Sequence, residues 1–366
     1  MAQAQGEGVV ELVNDLVRRA GAARASDVHF EPGRAGLRVR FRIDALLQDV
    51  EQLPAAITPN VVARLKVMSG LLTYRTDLPQ EGTIPATLGL FSGDIRVATF
   101  PTIYGERVVL RLLGQSLRPL ALGELGHDPA LVERLKGLLT LPQGLILVCG
   151  PAGSGKTTTL HAMLQRVLAS RPGLSVLSLE DPVEIRLDGI TQVEIEPERG
   201  LTYPVALRSL LRQDPQVLMV GEVRDADTAR LVLEAALTGH LLLSTMHSGS
   251  AAEAVVRLRE MGLPAYQITS TLQAVLAQRL LRTVCPACRT AAPDCPTCLG
   301  TGYAGRTAIG QCVEMSPALR SAILAGADVA ELSQPALSPG SLSVDAQRLV
   351  TAGCTTADEV RRVLGT

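Results

Sequence analysis

One short segment has the residue types and order of a loop that binds phosphate groups. It occupies residues 150–157, follows an apolar run at 145–149 and precedes a predicted helix that begins at Lys156. Glycines let backbone N–H groups wrap around phosphate oxygens, and the start of a helix adds positive potential. Lys156 is expected to reach the terminal phosphates and Thr157 to hold Mg²⁺. A glycine-rich turn without a ligand is the alternative that this context disfavours. The predicted nucleotide-binding residues are Gly150, Pro151, Ala152, Gly153, Ser154, Gly155, Lys156, Thr157 and Thr158.

Two apolar segments downstream of this loop end in carboxylates. Residues 217–221 lead into Glu222, and residues 174–179 lead into Glu180 and Asp181. An acid at the end of a strand beside a phosphate loop can act on Mg²⁺ or on the attacking water. One such acid is often only a surface glutamate, but two acid-ended strands after one phosphate loop favour a catalytic interpretation.

Two histidines, His240 and His247, bracket an apolar stretch at 241–244 that is predicted to be a strand. A single histidine is usually structural, whereas this pair could respond to the state of the γ-phosphate. The sequence has no Asn-Lys-x-Asp segment typical of guanine recognition, so ATP is favoured over GTP.

Four of the seven cysteines form two Cys-x-x-Cys pairs that are separated by six residues. In a reducing compartment, paired knuckles of this kind favour a zinc site over disulfides. The spacing does not match iron–sulfur motifs, and a redox role for either pair is the weaker alternative. The predicted zinc ligands are Cys285, Cys288, Cys295 and Cys298. The three scattered cysteines are expected to be small buried hydrophobes: Cys149, Cys312 and Cys354.

The elements around these residues predict two different folds along the chain. From residue 145 onwards, strand patterns alternate with helical patterns, which predicts an α/β fold with a doubly wound parallel sheet. The first hundred or so residues predict a smaller α+β domain. One of its strands alternates apolar residues with Arg38, Arg40 and Arg42. These arginines are interpreted either as a solvated face or as contacts to a nucleotide or a neighbouring subunit.

We divide the chain at the polar stretch that follows residue 113. After about residue 275 the pattern is predicted to be mostly helical, interrupted by the cysteines. The predicted parts are an N-terminal α+β domain (1–113), a linker (114–122) and an ATPase domain (123–366) that contains a tetracysteine subdomain (280–305) and a helical C-terminal part (311–366).

Composition narrows the possible functions. The chain has 366 residues, which suggests two domains, and a formal net charge of -1, which provides no global attraction for nucleic acid. Aromatic residues make up 2%, too few for the stacking platforms of a single-strand binder. The beginning of the sequence lacks a secretory signal, and no apolar run reaches the roughly 18 to 20 residues that span a bilayer. A cytoplasmic location is therefore expected, with any membrane attachment made through a partner and no direct contact with nucleic acid.

Taken together, these segments resemble the ATPase family of type II secretion and type IV pilus assembly. The resemblance extends from about residue 9 to the C-terminus and is specific because several motifs occur in the right order. These are an N-terminal motif (25–29 with 40–44), an acidic box (179–184), a Walker B region (211–225), a histidine box (238–247) and a C-terminal motif (355–360).

The resemblance implies a homo-hexameric ring of RecA-like ATPase domains with smaller, PAS-like N-terminal domains, and with ATP held between the two kinds of domain. Glu222 would then be the catalytic carboxylate, and Glu180 would help to position Mg²⁺ and water. Arg96 and Arg111 match family arginines that reach the phosphates. From the residues alone, both would be ordinary charges on a strand surface. The ring would act on an inner-membrane platform protein, peripheral to that membrane.

The sequence departs from the family pattern at two places in its N-terminal half. Residues 75–83 lack the arginine pair that relatives often carry there, and the leading domain that docks many secretion motors is expected to be missing. The tetracysteine site favours an assembly or secretion motor over a retraction motor, which typically lacks it. The remaining alternatives are a retraction or DNA-uptake motor, a RecA-like nucleic-acid motor such as a helicase, and a regulatory subunit without turnover.

Overall fold

The computed structural model describes residues 2–112, 119–289, 291–292, 295–338 and 340–365, with side chains described from residue 8 onwards. The chain forms two compact units, Met1–Arg118 and Pro119–Thr366. Part of the segment 114–122, predicted to be a linker, lies outside the described residues. No helix among the described residues is both long and apolar enough to cross a membrane.

The N-terminal unit is an antiparallel sheet with two helices on one face. Within the described residues the strands follow the spatial order β3-β2-β1-β6-β5-β4. The helices bury apolar stripes against the inward face of the sheet, where Phe30 and Leu37 are fully buried. Arginines line the other face. The elements are α1 (Ala2–Ala22), β1 (Asp27–Gly33), β2 (Gly36–Ile43), β3 (Leu46–Leu53), α2 (Thr58–Met68), β4 (Gln80–Ile84), β5 (Ile95–Thr102) and β6 (Gly105–Leu112).

The larger unit is built on a sheet with the order β13-β12-β7-β11-β10-β8-β9. All neighbouring strands are parallel except the antiparallel pair β12 and β13. The strands of this sheet are β7 (Gly144–Cys149), β8 (Val176–Glu180), β9 (Thr191–Glu194), β10 (Val217–Val220), β11 (Leu241–Met246), β12 (Leu272–Val284) and β13 (Tyr303–Glu314).

Helices cover both faces of this sheet, so each face contributes to a separate apolar core. The central strand β7 is buried along its whole length, as expected for a strand covered on both sides. The helices are α3 (Pro129–Leu138), α4 (Lys156–Ser170), α5 (Tyr203–Leu210), α6 (Ala226–Leu237), α7 (Ala251–Glu260), α8 (Ala265–Thr271), α9 (Pro317–Leu324), α10 (Val329–Leu332), α11 (Leu342–Thr351) and α12 (Ala357–Leu364).

The prediction of a mostly helical chain after residue 275 is wrong. Residues 272–284 and 303–314 form the long hairpin of β12 and β13, and helices follow only after Glu314. Leu272, Val275 and Leu276 have helical spacing, but pairing of β12 with the buried strand β7 overrides that pattern. Cys354, predicted to be buried, is exposed.

The C-terminal helix α12 is fixed to the hairpin by a buried ion-pair network. The Glu359 carboxylate accepts hydrogen bonds from Arg282 at 2.7 Å and from Arg362 at 2.6 Å. Arg282 also stacks on Tyr303, 4.0 Å from the ring centroid. Burial alone would raise the pKa of Glu359, but the bonds from Arg362 and Arg282 outweigh it and lower the pKa to about 2.

This network predicts that the free energy of unfolding depends on pH through Glu359. Because its pKa is lower in the folded state than the ordinary 4.5, the contribution is complete above pH 4.5 and is lost as the pH falls towards 2. Glu359→Gln should be less stable than wild type at neutral pH, and the difference should shrink on acidification. Urea unfolding at several pH values measures this. Glu133→Gln, in an exposed pair with Lys136, is the control, and equal pH dependence of Glu359→Gln and wild type would contradict the prediction.

Candidate nucleotide site and metal centre

The loop between β7 and α4 has the backbone that phosphate binding requires. Gly155, the residue before α4, has a φ of 82°, a conformation that glycine adopts without strain. At Gly150 a Cβ atom would lie only 2.5 Å from the carbonyl oxygen of Gln278 on β12. The loop can therefore pass close to the neighbouring strand only because that position is glycine.

A buried glutamine holds the loop in this position. The Gln278 side chain donates to the carbonyl of Ser154 at 2.7 Å and accepts from the Thr159 hydroxyl at 2.8 Å. It thereby ties both the loop and the first turns of α4 to β12. Sequence reasoning missed Gln278, because the same segment also contains Gln273, Arg279 and Arg282 and no spacing distinguishes one of these polar residues.

Lys156 lies over the loop that precedes it. Its Nζ atom donates to the carbonyls of Gly150 and Pro151, at 2.9 and 3.0 Å, and lies 3.3 Å from Nδ1 of His247. Burial lowers the pKa of Lys156, while the nearby Glu222 carboxylate acts in the opposite direction. Thr157, in the same turn of α4, is partly exposed.

His247 joins the lysine to the predicted catalytic acid. It follows the last residue of β11, and Glu222 lies just beyond the end of the neighbouring parallel strand β10. The Nε2 atom of His247 is 3.2 Å from Oε1 of Glu222. The two ring nitrogens of His247 therefore face the Lys156 ammonium on one side and the Glu222 carboxylate on the other. The structure therefore brings Lys156, His247 and Glu222 into one contiguous group.

The second oxygen of Glu222 is also engaged. Arg224 donates from Nε to Oε2 of Glu222 at 2.7 Å, and its NH1 atom lies 3.5 Å from Asp181. The hydrogen bond with Glu222 raises the pKa of Arg224. A carboxylate has about four lone-pair sites, so these two contacts leave Glu222 capacity to accept from a water.

Glu180 is buried at the end of β8 and belongs to a separate network. It contacts His161 on α4 at 2.8 Å and accepts hydrogen bonds from Ser178 at 2.6 Å and Gln192 at 2.9 Å. Burial would raise the pKa of Glu180, but these bonds outweigh it and lower the pKa. Sequence reasoning missed His161 because a histidine on the buried side of a helix has no distinctive spacing.

His240 does not lie near the phosphate loop of its own unit. It precedes β11, at the opposite end of that strand from His247, and its Nδ1 atom contacts the carbonyl of Ala235 at 2.9 Å. A strand of this length separates its ends by about 17 Å. Within this unit His247 therefore lies beside the phosphate loop and His240 lies at the far end of the same strand.

Arg96 and Arg111 are direct neighbours on the outward face of the N-terminal sheet. They are paired in the register of β5 and β6. The Arg111 side chain is 68% exposed and contacts Asp27 of β1 at 3.2 Å. Within the described part of the chain, no hydrogen bond or ion pair engages the side chain of Arg96. Like charges placed opposite each other destabilise a sheet unless an anion offsets them.

The four predicted zinc ligands converge at the end of the β12–β13 hairpin. Their sulfur atoms all lie within 4.8 Å of one another, with Cys285 and Cys295 3.8 Å apart and Cys288 and Cys298 3.5 Å apart. Zn–S bonds of about 2.3 Å in a tetrahedron place sulfurs roughly 3.8 Å apart, so the cluster fits a zinc site. A hydrogen bond from the backbone of Cys298 lowers the pKa of Cys295 to about 6, which favours the thiolate that zinc binds.

A P-loop at the carboxyl edge of a mostly parallel sheet, with a lysine and an acid-ended strand beside it, defines a nucleotide hydrolase of mixed α/β fold. The family described as Type II/IV secretion system protein matches residues 2–362, and the chain belongs to it. The chain is thus an ATPase of the secretion and pilus group.

Curated relatives agree over nearly the whole chain. The type II secretion system protein HxcR of Pseudomonas aeruginosa is 41% identical, covering 98% of this chain and 78% of that protein. The type II secretion system ATPase E of Vibrio cholerae is 39% identical, covering 97% and 75%. The type IV pilus assembly ATPase PilB of Thermus thermophilus is 38% identical, covering 96% of this chain but 42% of that protein.

Solved structures share the fold. The pilus retraction motor PilT with bound ADP has a TM-score of 0.64 at 23% identity and covers 95% of this chain and 96% of its own. The ATPase DotB of Yersinia pseudotuberculosis has a TM-score of 0.70 at 23% identity, covering 93% and 90%. At these identities the likeness concerns the fold.

Replacing Glu222 by glutamine should separate ATP binding from hydrolysis. The amide keeps the size of the side chain but cannot accept a proton from water, so turnover should fall by roughly 100-fold or more while ATP affinity changes little. Phosphate release and ATP titration measure the two properties. Glu198→Gln, at an exposed position, is the control. Unchanged turnover in Glu222→Gln would remove Glu222 from the catalytic role.

The cysteine cluster predicts a defined metal content. The full chain should contain about one zinc ion per molecule, and joint replacement of Cys285 and Cys288 by serine should abolish it, because two ligands are lost. Elemental analysis of the purified protein gives the ratio. Cys354→Ser, outside the cluster, should keep the zinc. Equal metal content in all three proteins would rule out the tetrathiolate site.

Proposed function

We propose that the chain is the ATP-hydrolysing motor that drives assembly of a pilus or pseudopilus in a type II secretion or type IV pilus system. The observation that carries the proposal is the contiguous group of Lys156, His247 and Glu222 at the phosphate loop. That group supplies a cation for the phosphates, a carboxylate that can act on the attacking water, and an imidazole that lies between the two. The relatives named above belong to type II secretion and type IV pilus systems, and they support the choice of these two kinds of system.

Each residue of the group has a specific part in the reaction. Backbone N–H groups of residues 150–157 bind the phosphates, and Lys156 exchanges its contacts with the loop carbonyls for the terminal phosphates. Thr157 is suited to hold Mg²⁺, which neutralises phosphate charge when bound. Glu222 orients the attacking water through the lone pairs that its contacts with Arg224 and His247 leave available. Glu180 helps to position Mg²⁺ and water from the end of the adjacent strand β8.

His247 is suited to detect the γ-phosphate because it already touches both Lys156 and Glu222. When Lys156 turns to the phosphates, the Nδ1 atom of His247 loses its donor, and the imidazole becomes available to the nucleotide. His247 thereby connects filling of the phosphate site to the side chain of Glu222.

The cysteine cluster supports an assembly motor rather than a retraction motor. Its four sulfurs have the spacing for zinc, and zinc there would fix the end of the long β12–β13 hairpin. The same hairpin carries Gln278, so a rigid hairpin also steadies the phosphate loop. The fold likeness to PilT does not favour retraction, because it concerns architecture alone.

The remaining assignments are proposals that rest on the family. We assign a homo-hexameric ring with RecA-like ATPase domains, PAS-like N-terminal domains, and Arg96 and Arg111 as phosphate contacts. The antiparallel order of the N-terminal sheet and the arginines on its open face are compatible with these roles. The proposed partner is an inner-membrane platform protein. The proposed location is the cytoplasm, peripheral to that membrane, without direct nucleic-acid binding.

The ring proposal predicts that ATP turnover per chain rises with protein concentration as hexamers form. Arg96→Ala should reduce turnover by roughly 100-fold at every concentration, because a guanidinium on the transferred phosphoryl group is lost. Phosphate release and molar mass by light scattering should be measured on the same samples. Arg38→Ala, which removes an exposed arginine paired with Asp49, is the control. A monomer whose turnover per chain depends neither on protein concentration nor on the presence of Arg96 would contradict the ring motor.

A further inference from the structure

A single row of side chains crosses the outward face of the N-terminal sheet. In the register of the strands, Arg42 of β2 lies opposite Asp27 of β1, Asp27 lies opposite Arg111 of β6, and Arg111 lies opposite Arg96 of β5. The row therefore contains three guanidinium groups and one carboxylate. Its excess positive charge suits a polyanion such as a triphosphate.

Asp27 is the only residue of this row that is buried. It is 6% exposed, and its Oδ2 atom accepts a hydrogen bond from the Ser26 hydroxyl at 2.8 Å. The same oxygen lies 3.4 Å from Nε of Arg42, while Oδ1 accepts from Nε of Arg111 at 3.2 Å. The carboxylate thus has a fixed orientation and a separate oxygen for Arg111.

The contact with Arg111 uses only one edge of the guanidinium. Asp27 binds its Nε atom, and within the described residues the two terminal nitrogens have no protein partner. These nitrogens are the pair that grips phosphate oxygens in bidentate fashion. Arg96 has no comparable anchor, although it faces Arg111 directly. Of the two arginines, Arg111 is therefore the one whose direction is set before an anion arrives.

We propose that Asp27 is a positioning residue for ATP hydrolysis, which holds Arg111 with its terminal nitrogens free for the phosphates. This inference rests on the proposed role of Arg111 as a phosphate contact. Pre-orientation reduces the entropy lost when the guanidinium meets developing charge, so its effect falls mainly on kcat. The Asp27 charge also offsets the repulsion between Arg111 and Arg42.

The test is a double-mutant cycle on the full chain. Asp27→Asn keeps the shape of the side chain but removes the charge that holds Arg111, so kcat should fall roughly tenfold while KM for Mg-ATP changes less than about twofold. In an Arg111→Gln background, the same substitution should have no further effect. Asp27→Glu should recover part of the rate. Asp49→Asn, which removes an exposed partner of Arg38 on the same face, is the matched control and should leave kcat unchanged.

The cycle separates this inference from the proposed function. If Arg111→Gln turns over ATP at the wild-type rate, the phosphate role of Arg111 is wrong. If Arg111→Gln is impaired but Asp27→Asn is not, or if the two losses multiply, the positioning role of Asp27 is overturned and the motor assignment stands. A general loss of structure would lower both backgrounds by the same factor. Should Asp27→Asn prove insoluble, Ser26→Ala replaces it, with a kcat decrease of roughly threefold expected and an unchanged kcat counting against the proposal.

Discussion

The structure depends on the close approach of the phosphate loop to strand β12. At Gly150 the loop passes so near the carbonyl of Gln278 that no side chain would fit, and the Gln278 amide then fastens the loop through Ser154. Backbone N–H groups can bind phosphates only if the loop keeps this shape when no anion is present. This shape requires β12 to lie beside β7. The long hairpin that carries the cysteines therefore also supports the phosphate loop.

Parallel strands then place the chemistry at one edge of the sheet. β7, β11, β10 and β8 all end there, which brings Lys156, His247, Glu222 and Glu180 to neighbouring positions from four separate parts of the sequence. The acids are held in different ways, since Glu180 is itself buried with His161 and Ser178, whereas the partners of Glu222, Arg224 and His247, are exposed. This difference suits Glu180 to a fixed supporting role and Glu222 to the step in which a proton is transferred.

Sequence reasoning was most successful where function depends on adjacent residues. The phosphate loop, the paired cysteines and the acid-ended strands are local patterns, and the structure brings the four cysteines together as predicted. It failed where the structure depends on which strands pair and in which register. The hairpin of β12 and β13 was predicted to be helical because Leu272, Val275 and Leu276 have helical spacing, whereas pairing with β7 makes that segment a strand. The contacts of Gln278, His161 and Asp27 depend on which strands and helices become neighbours, which no spacing along the chain reveals.

The central claim, that this chain hydrolyses ATP at the loop before α4, is tested most directly by steady-state phosphate release from Mg-ATP for the full chain and for Lys156→Ala. We expect saturable turnover in the wild type and a loss of roughly 100-fold or more in the variant, because the cation that meets the terminal phosphates is gone. Turnover that does not depend on Lys156, or a folded wild-type protein that releases no phosphate at any concentration, would contradict the claim.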